Sequence, residues 1–228
     1  MTDIPAGLTR ERGKTLRAPV VLDVPEREVP EATIALEFSD RWELLVATML
    51  SAQSTDVKVN QVTRELFREL PDPVAVAAAP LERIEELIGS LGLYRQKAKN
   101  LKATAALLLE HHQGEVPASM AELIALPGVA RKTANVVLSN GFGINEGVVV
   151  DTHVARLARR LRFTREHDPK RIERDLMRLF PRERWLQVAD LFIHHGRRTC
   201  LARNPRCEDC PIEPLCPSSQ EAGLTDKR

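Results

Sequence analysis

Apolar residues of this chain recur at helical spacing, and proline or glycine repeatedly interrupts the pattern. One such apolar face follows Pro80 and consists of Leu81, Ile84, Leu87, Ile88 and Leu91. Gly92 then breaks the pattern, as glycine commonly does at the end of a helix. The valine run at 148–150 has the composition of a short strand, but no other segment offers it a partner. The sequence therefore predicts an all-α fold of about nine or ten short helices packed as a compact array.

The remaining composition excludes several classes of protein. No apolar run is long enough to cross a bilayer, and the first thirty residues lack the apolar core of a signal peptide. Those residues hold four prolines and no sustained periodicity, so we expect them to form a loosely docked tail. We expect a cytoplasmic protein, associated with the nucleoid if DNA is its partner.

All four cysteines lie within the last thirty residues of the chain, at Cys200, Cys207, Cys210 and Cys216. Such crowding without a secretory signal predicts a metal centre rather than disulfides. Only one pair has the tight spacing of a zinc site, and iron–sulfur clusters tolerate uneven spacing. The spacing favours a 4Fe–4S cluster and leaves zinc as the alternative.

Positive charge is concentrated near the cysteines, although the whole chain carries a formal net charge of only +1. Residues 151–207 hold 15 basic and 7 acidic side chains. Arg203 and Arg206 lie in the cysteine loop itself. This segment is a candidate phosphate-facing surface, and a solvated arginine-rich face is an equal alternative.

Residues 119–140 are predicted to form two helices joined by a tight turn. Ser119 and Glu122 have the spacing of a capping box, and the sequence LPGVA at 126–130 forms the turn. The N–H groups that begin the second helix can bind phosphate, and Gly128 lets the backbone approach it closely. A plain turn between packed helices is the alternative, and the turn alone favours it.

Lys132 follows that turn, in the first turn of the second helix. The helix dipole disfavours a cation in this position. A neutral amine is the form needed for Schiff-base chemistry. The alternative is a surface lysine that contacts phosphate.

Four segments resemble those of the endonuclease III family of DNA glycosylases and abasic-site (AP) lyases, in the family's order along the chain. They are LSAQSTDVKVN at 50–60, LGLYRQKA at 91–98, LPGVARKTANV at 126–136 and VDTHV at 150–154. With the cysteines, whose spacing matches the family's cluster loop, the resemblance extends from residue 40 to residue 216.

The resemblance implies that Lys132 is the nucleophile and that Asp151 is the essential carboxylate. Asp151 also stands where it can cap the helix that follows it, which does not exclude catalysis. The family's gap-filling and wedge positions are held by Gln53 and Leu93. A helix-capping glutamine and a minor core leucine are the alternatives.

Further residues are expected to contact DNA or the extruded base. The hairpin contacts are Gly128, Ala130 and Arg131, and many family members have glycine at the position of Ala130. The pocket residues are Ser51, Asp56 and His153. The family cofactor is a 4Fe–4S cluster bound by the four cysteines.

The implied fold has a six-helix domain at 34–144, with a helix-hairpin-helix at 119–140. A second helical domain combines 1–33 with 145–228 and carries the cluster loop at 200–216. The implied activity is removal of oxidised pyrimidines from double-stranded DNA, followed by strand cleavage 3′ to the abasic site, by a protein expected to be a monomer.

Two other functions remain as alternatives. One is a monofunctional mismatch or adenine glycosylase, against which Lys132 argues, because those relatives lack a lysine there. The other is a non-catalytic iron–sulfur DNA-binding module, against which the combination of Lys132 and Asp151 argues.

Overall fold

The computed structural model describes residues 4–28 and 34–219 and contains eleven α-helices in that part of the chain. They are α1 (Lys14–Glu28), α2 (Arg41–Leu50), α3 (Asp56–Glu69), α4 (Pro73–Ala78), α5 (Leu81–Ile88), α6 (Tyr94–His112), α7 (Met120–Ala125), α8 (Arg131–Phe142), α9 (Thr152–Arg160), α10 (Pro169–Leu179) and α11 (Trp185–Arg198). The described residues contain no strand, so the all-α prediction is confirmed and the valines at 148–150 are irregular. None of these helices combines the length and apolar character needed to cross a membrane.

The chain divides into two compact units, one comprising Ile34–Glu146 and the other comprising Met1–Thr33 and Gly147–Arg228. We call them the hairpin unit and the cluster unit, after the features that each contains.

Helix α2 lies at the centre of the hairpin unit. Eight of its ten residues are buried, so it is apolar on every side, as a helix surrounded by others must be. Helices α3, α6 and α8 pack around it. Leu44, Leu66, Leu101 and Leu138 are each fully shielded from solvent in this core. This packing gives α6 and α8 fixed positions from which their ends can present side chains.

Helices α1, α9 and α10, together with α11, build the cluster unit. Its core contains three phenylalanines, with ring centroids 5.8 Å apart for Phe163 and Phe180 and 6.3 Å apart for Phe163 and Phe192. Helices α9 and α10 are strongly amphipathic, and each buries its apolar stripe while its charged residues face solvent.

The prediction of a loosely docked N-terminal tail is wrong, because residues 14–28 form α1 and pack against α11. Ala18, Val21 and Leu22 are essentially inaccessible to solvent. The helix contains Pro19 and Pro25, which weaken any helical prediction from local sequence. Burial against the rest of the cluster unit offsets the loss of the two backbone hydrogen bonds.

Candidate functional site

The turn between α7 and α8 has the predicted hairpin form. Ser119 precedes α7, and its hydroxyl accepts a hydrogen bond from the N–H of Glu122 at 3.5 Å. Helix α8 begins after Ala130 and has no side-chain cap. A helix start without a capping side chain offers backbone N–H groups to an anionic ligand such as a phosphate.

Gly128 is required in this turn by its conformation and by its packing. Its φ is +80°, and a Cβ atom at this position would lie 2.6 Å from the Nδ2 atom of Asn100. Ala130 instead has φ −87° and ψ 167°, which alanine adopts without strain. The absence of the family's glycine at position 130 therefore costs nothing in backbone conformation, and only the added methyl group can affect a ligand.

Lys132 is the second residue of α8, and its side chain is exposed. Asp151 immediately precedes α9, and its Oδ1 atom accepts a hydrogen bond from the N–H of Val154 at 2.8 Å. The predicted capping role is thus confirmed. Among the described residues, none forms a hydrogen bond with the Oδ2 atom of Asp151. Arg156 on α9 is close enough to interact electrostatically with this carboxylate.

Gln53 and Leu93 are both exposed, and both have left-handed backbone conformations, with φ of 55° and 57°. Leu93 is 62% exposed, so it is not a core contact, and Thr55 rather than Gln53 caps α3. The two turns are neighbours, since a methyl group on Gly92 would lie 3.6 Å from the carbonyl oxygen of Gln53. Non-glycine residues with positive φ concentrate at functional sites.

The expected pocket residues fall in both units. Ser51 and Asp56 flank the Gln53 turn, where Ser51 donates to the carbonyl of Thr48 at 2.8 Å and Asp56 begins α3. His153 lies on α9, and its Nδ1 atom is 3.1 Å from an Arg156 nitrogen.

The four cysteines have free thiols and line one cavity of the cluster unit, together with Leu157, Ile212 and His195. Among the described residues, no three Cys, His, Asp or Glu side chains converge closely enough to hold a single metal ion. Four thiols around one cavity are the ligand set that an iron–sulfur cube requires.

Without a cation beside them, the buried cysteines of this cavity favour the neutral thiol over the thiolate. Burial raises the pKa of Cys210 to about 12 and that of Cys216 to about 11. Both sulfurs are hydrogen-bonded to backbone N–H groups, from Ile212 and Ser218. Iron in the cavity would stabilise the thiolates, and these N–H groups would tune the cluster that they ligate.

His195 is buried beside the cysteines, with its Nε2 atom 3.6 Å from the Cys210 sulfur. Burial lowers the pKa of His195 to about 4. The neutral ring packs within the unit, as expected for a structural histidine.

Three arginines that sequence reasoning missed hold the cysteine loop. Arg160 donates to the Cys200 sulfur at 3.2 Å, and Arg156 donates to the Cys200 carbonyl at 3.1 Å. Arg17 on α1 is 3% exposed and donates to the carbonyl of Leu215 at 2.9 Å. Nothing in the sequence indicates this role, because most arginines in proteins lie at the surface and few are buried.

Comparison with known proteins identifies the class to which this fold and site belong. Residues 46–182 match the HhH-GPD superfamily of base excision DNA repair proteins, where HhH denotes the helix-hairpin-helix. Residues 200–216 match the iron–sulfur binding domain of endonuclease III.

The similarity to individual proteins extends over nearly the whole chain. Endonuclease III of Synechocystis sp. is 49% identical over 213 residues, which cover 93% of this chain and 97% of that protein. Endonuclease III of Escherichia coli strain K12 is 43% identical, covering 86% of this chain and 92% of that protein. This chain belongs to the endonuclease III family.

Solved structures agree with this assignment. A trapped covalent endonuclease III–DNA intermediate is 40% identical, with a TM-score of 0.86, and covers 92% of this chain and 98% of the solved chain. A thermostable thymine-DNA glycosylase shares the fold, with a TM-score of 0.81 at 20% identity. The protein is accordingly a base excision repair DNA glycosylase and AP lyase that acts on DNA and carries a 4Fe–4S cluster.

Proposed function

We propose that the enzyme removes oxidised pyrimidines from double-stranded DNA, with Lys132 as the nucleophile and Asp151 as the essential carboxylate. One observation carries the assignment of Lys132: its exposed amine follows directly after an uncapped helix start suited to phosphate. Backbone N–H groups can thus dock the DNA strand while the amine on the same helix end reaches a sugar.

The chemistry proceeds by exchange of bonds at C1′. The Lys132 amine forms a bond to C1′ as the bond to the base breaks, and the bonding electrons leave with the base, which takes up a proton. Loss of a proton from the amine and opening of the sugar ring give a Schiff base. The Schiff base acidifies the C2′ hydrogens, and loss of one expels the 3′ phosphate by β-elimination.

Asp151 contributes to these reaction steps through its negative charge. A carboxylate stabilises positive charge that develops at C1′ and can accept the proton that the lysine loses. Oδ1 is committed to capping α9, so Oδ2 is the atom that we assign to catalysis.

The damaged nucleotide must leave the base stack to reach Lys132. We assign Leu93 as the wedge that opens the stack and Gln53 as the group that pairs with the orphaned base. Exposure of both side chains on adjacent left-handed turns supports these roles. Ser51, Asp56 and His153 line the pocket for the extruded base in this proposal, and Gly128, Ala130 and Arg131 contact the phosphates.

We also infer that the protein acts as a monomer, in the cytoplasm where bacterial DNA lies. A single chain supplies the lysine, the carboxylate and all four cysteines, which supports this proposal.

The test is covalent trapping on duplex DNA that contains one oxidised pyrimidine, with borohydride added to reduce the Schiff base. The wild-type enzyme should form a protein–DNA adduct, and Lys132→Ala should form none. Lys170→Ala is the matched control, because Lys170 is also an exposed lysine at the second position of a helix. Absence of an adduct from the wild-type enzyme with every lesion tried would overturn the proposal.

Asp151→Asn separates capping from catalysis in the same assay. Asparagine caps helices as well as aspartate does but carries no charge. The variant should unfold at the wild-type temperature and lose at least about a hundredfold in adduct formation. Wild-type trapping by this variant would remove Asp151 from the mechanism.

A further inference from the structure

One face of α6 connects the DNA-facing features of the hairpin unit. Leu93 immediately precedes α6, and Lys97, Asn100 and Thr104 follow at spacings that place their side chains on the same side of the helix. The first of these residues forms one of the left-handed turns, and the last two contact the hairpin.

The side chain of Lys97 joins the Gln53 turn to the start of α6, where Leu93 lies. The backbone N–H of Lys97 donates to the carbonyl of Leu93 at 3.0 Å. Its Nζ atom donates to the carbonyl of Leu50 at 2.9 Å and to the hydroxyl of Ser54 at 3.0 Å. Leu50 and Ser54 bracket the Gln53 turn, so the Lys97 side chain fastens this turn to the first turn of α6, directly after Leu93.

Burial of the Lys97 ammonium carries a desolvation penalty. Lys97 is 8% exposed, and burial lowers its pKa. Among the described residues no carboxylate forms an ion pair with it, so neutral oxygens alone solvate the ammonium. An apolar side chain of similar length would pack here without that desolvation penalty, so the hydrogen bonds are the feature that distinguishes lysine.

The far end of the same face supports the hairpin. Asn100 packs so closely beneath Gly128 that a Cβ atom there would lie 2.6 Å from its Nδ2 atom. Thr104 is fully buried and donates to the carbonyl of Pro127 at 3.1 Å. Eleven residues of helix span about 16 Å, so α6 sets the distance between the two turns and the phosphate-binding hairpin.

We propose that Lys97 is a positioning residue for base extrusion, which fixes the turns of Gln53 and Leu93 as one unit in register with the hairpin. The inference rests on the proposed roles of those two side chains. A left-handed conformation is strained for a residue other than glycine and persists only while its surroundings hold it. Without the side-chain hydrogen bonds of Lys97, the Gln53 turn relaxes relative to α6, and the two side chains no longer enter the duplex together.

The test compares Lys97→Met with Lys102→Met. Methionine keeps the length and helix propensity of lysine but donates no hydrogen bond. Lys102 is the matched control, because it lies on α6 and donates to the carbonyl of Ala79, away from both turns. Retained helical circular dichroism, thermal midpoint and visible cluster absorbance must first show that both variants are folded.

The readout is the fluorescence of 2-aminopurine placed beside an oxidised pyrimidine, which rises when the stack opens. At saturating protein, Lys97→Met should lose at least tenfold in the rate of this rise and in the single-turnover rate of base release. Its affinity for undamaged duplex should remain within twofold of wild type, since the hairpin is untouched. Lys102→Met should match the wild type in all three measurements.

A second substrate separates positioning from general damage to the fold. When the lesion lies in a one-nucleotide bulge, the stack is already open, and Lys97→Met should recover to within threefold of the wild-type rate. Equal rates for the two variants on fully paired duplex would overturn the inference, as would an undiminished defect on the bulged substrate.

The two proposals fail in different ways. If wild-type enzyme forms no borohydride adduct, the proposed function is wrong. If wild-type enzyme forms the adduct and Lys97→Met opens the stack at the wild-type rate, only the role of Lys97 is wrong.

Discussion

At the scale of single residues, Gly128 couples the hairpin to the helix beneath it. Its φ of +80° disfavours any side chain, and Asn100 occupies the space that a Cβ atom would need. Gly143 has a similar φ of +68°, but nothing lies within 4 Å of its missing Cβ atom. A comparison of alanine substitutions at the two glycines therefore separates the effect of backbone strain on stability from the effect of close packing.

Gly128→Ala should lower the free energy of unfolding by about 2–3 kcal/mol, because strain and a clash act together. Gly143→Ala should lower it by about 1 kcal/mol through strain alone. Urea denaturation followed by circular dichroism measures both values, and fluorescence anisotropy measures DNA affinity, which only Gly128→Ala should weaken. Adding Asn100→Ala should restore part of the lost stability, and no recovery would contradict the packing argument.

Asp190 gives a prediction for pH. Burial raises the pKa of this α11 carboxyl to about 7, whereas in an unfolded chain it ionises near pH 4. Between these two pH values the folded protein keeps a proton that the unfolded chain has lost. The free energy of unfolding therefore falls as pH rises from about 4 to about 7.

Asp190→Asn removes this dependence, because the amide does not ionise. At pH 8 the variant should be more stable than wild type by on the order of 2 kcal/mol, with a smaller difference at pH 5. Urea titrations at the two pH values measure this, with Asp168→Asn at an exposed helix cap as the control substitution. A stability difference that is the same at both pH values would show that Asp190 ionises normally.

At the scale of elements, α1 is held to the rest of its unit by a buried cation. The Arg17 guanidinium donates to the carbonyls of Arg12, Leu161 and Leu215, and burial lowers its pKa. Leu215 immediately precedes Cys216, the last of the four cysteines. The N-terminal helix therefore braces the segment that binds the cluster.

Arg17→Ala should lower the free energy of unfolding of the cluster unit by about 3 kcal/mol, because the buried carbonyls of Leu161 and Leu215 lose their hydrogen-bond donor. The visible absorbance of the cluster should then disappear at a lower temperature than in wild type. Leu16→Ala is the control on the same helix, at a side chain that is 62% exposed. If both variants lose the cluster at the same temperature, Arg17 does not brace the loop.

Helix starts were the part of the fold that local sequence predicted well. The caps at Ser119 and Asp151 and the start after Pro80 agree with the observed helices, whereas α5 ends at Ile88 and not at Gly92. Helix α1 was missed because its two prolines oppose helix formation locally, whereas its stabilising contacts lie in remote segments.

At the scale of the whole molecule, charge is distributed so that a nearly neutral chain carries a basic region around its cluster. Arg203 and Arg206 are exposed in the cysteine loop, between Cys200 and Cys207, which both line the cavity. Such arginines suit contact with a phosphate backbone, which requires no base sequence.

Arg203→Gln combined with Arg206→Gln should weaken binding to any duplex and reduce the salt dependence of the affinity. The slope of log affinity against log salt should fall by about 2, one for each lost phosphate contact. The control is Lys170→Gln with Arg174→Gln, which removes the same charge from the exposed face of α10. Equal slopes for the two double variants would show that net charge, and not local contact, controls binding.

The sequence by itself determined the helical class, the hairpin, the metal-binding character of the cysteines and the family, because periodicity, capping and spacing are local properties of a chain. Only the tertiary structure decided that residues 14–28 are a helix, that Gln53 and Leu93 occupy neighbouring left-handed turns, and that the Lys97 side chain bonds to the segment beside Gln53. Those features depend on contacts between distant segments. Arg17 and Leu215, for example, are hydrogen-bonded although they are 198 positions apart in the sequence. A side chain that is solvated in the unfolded chain acquires such a role only when folding removes its water and supplies the partner.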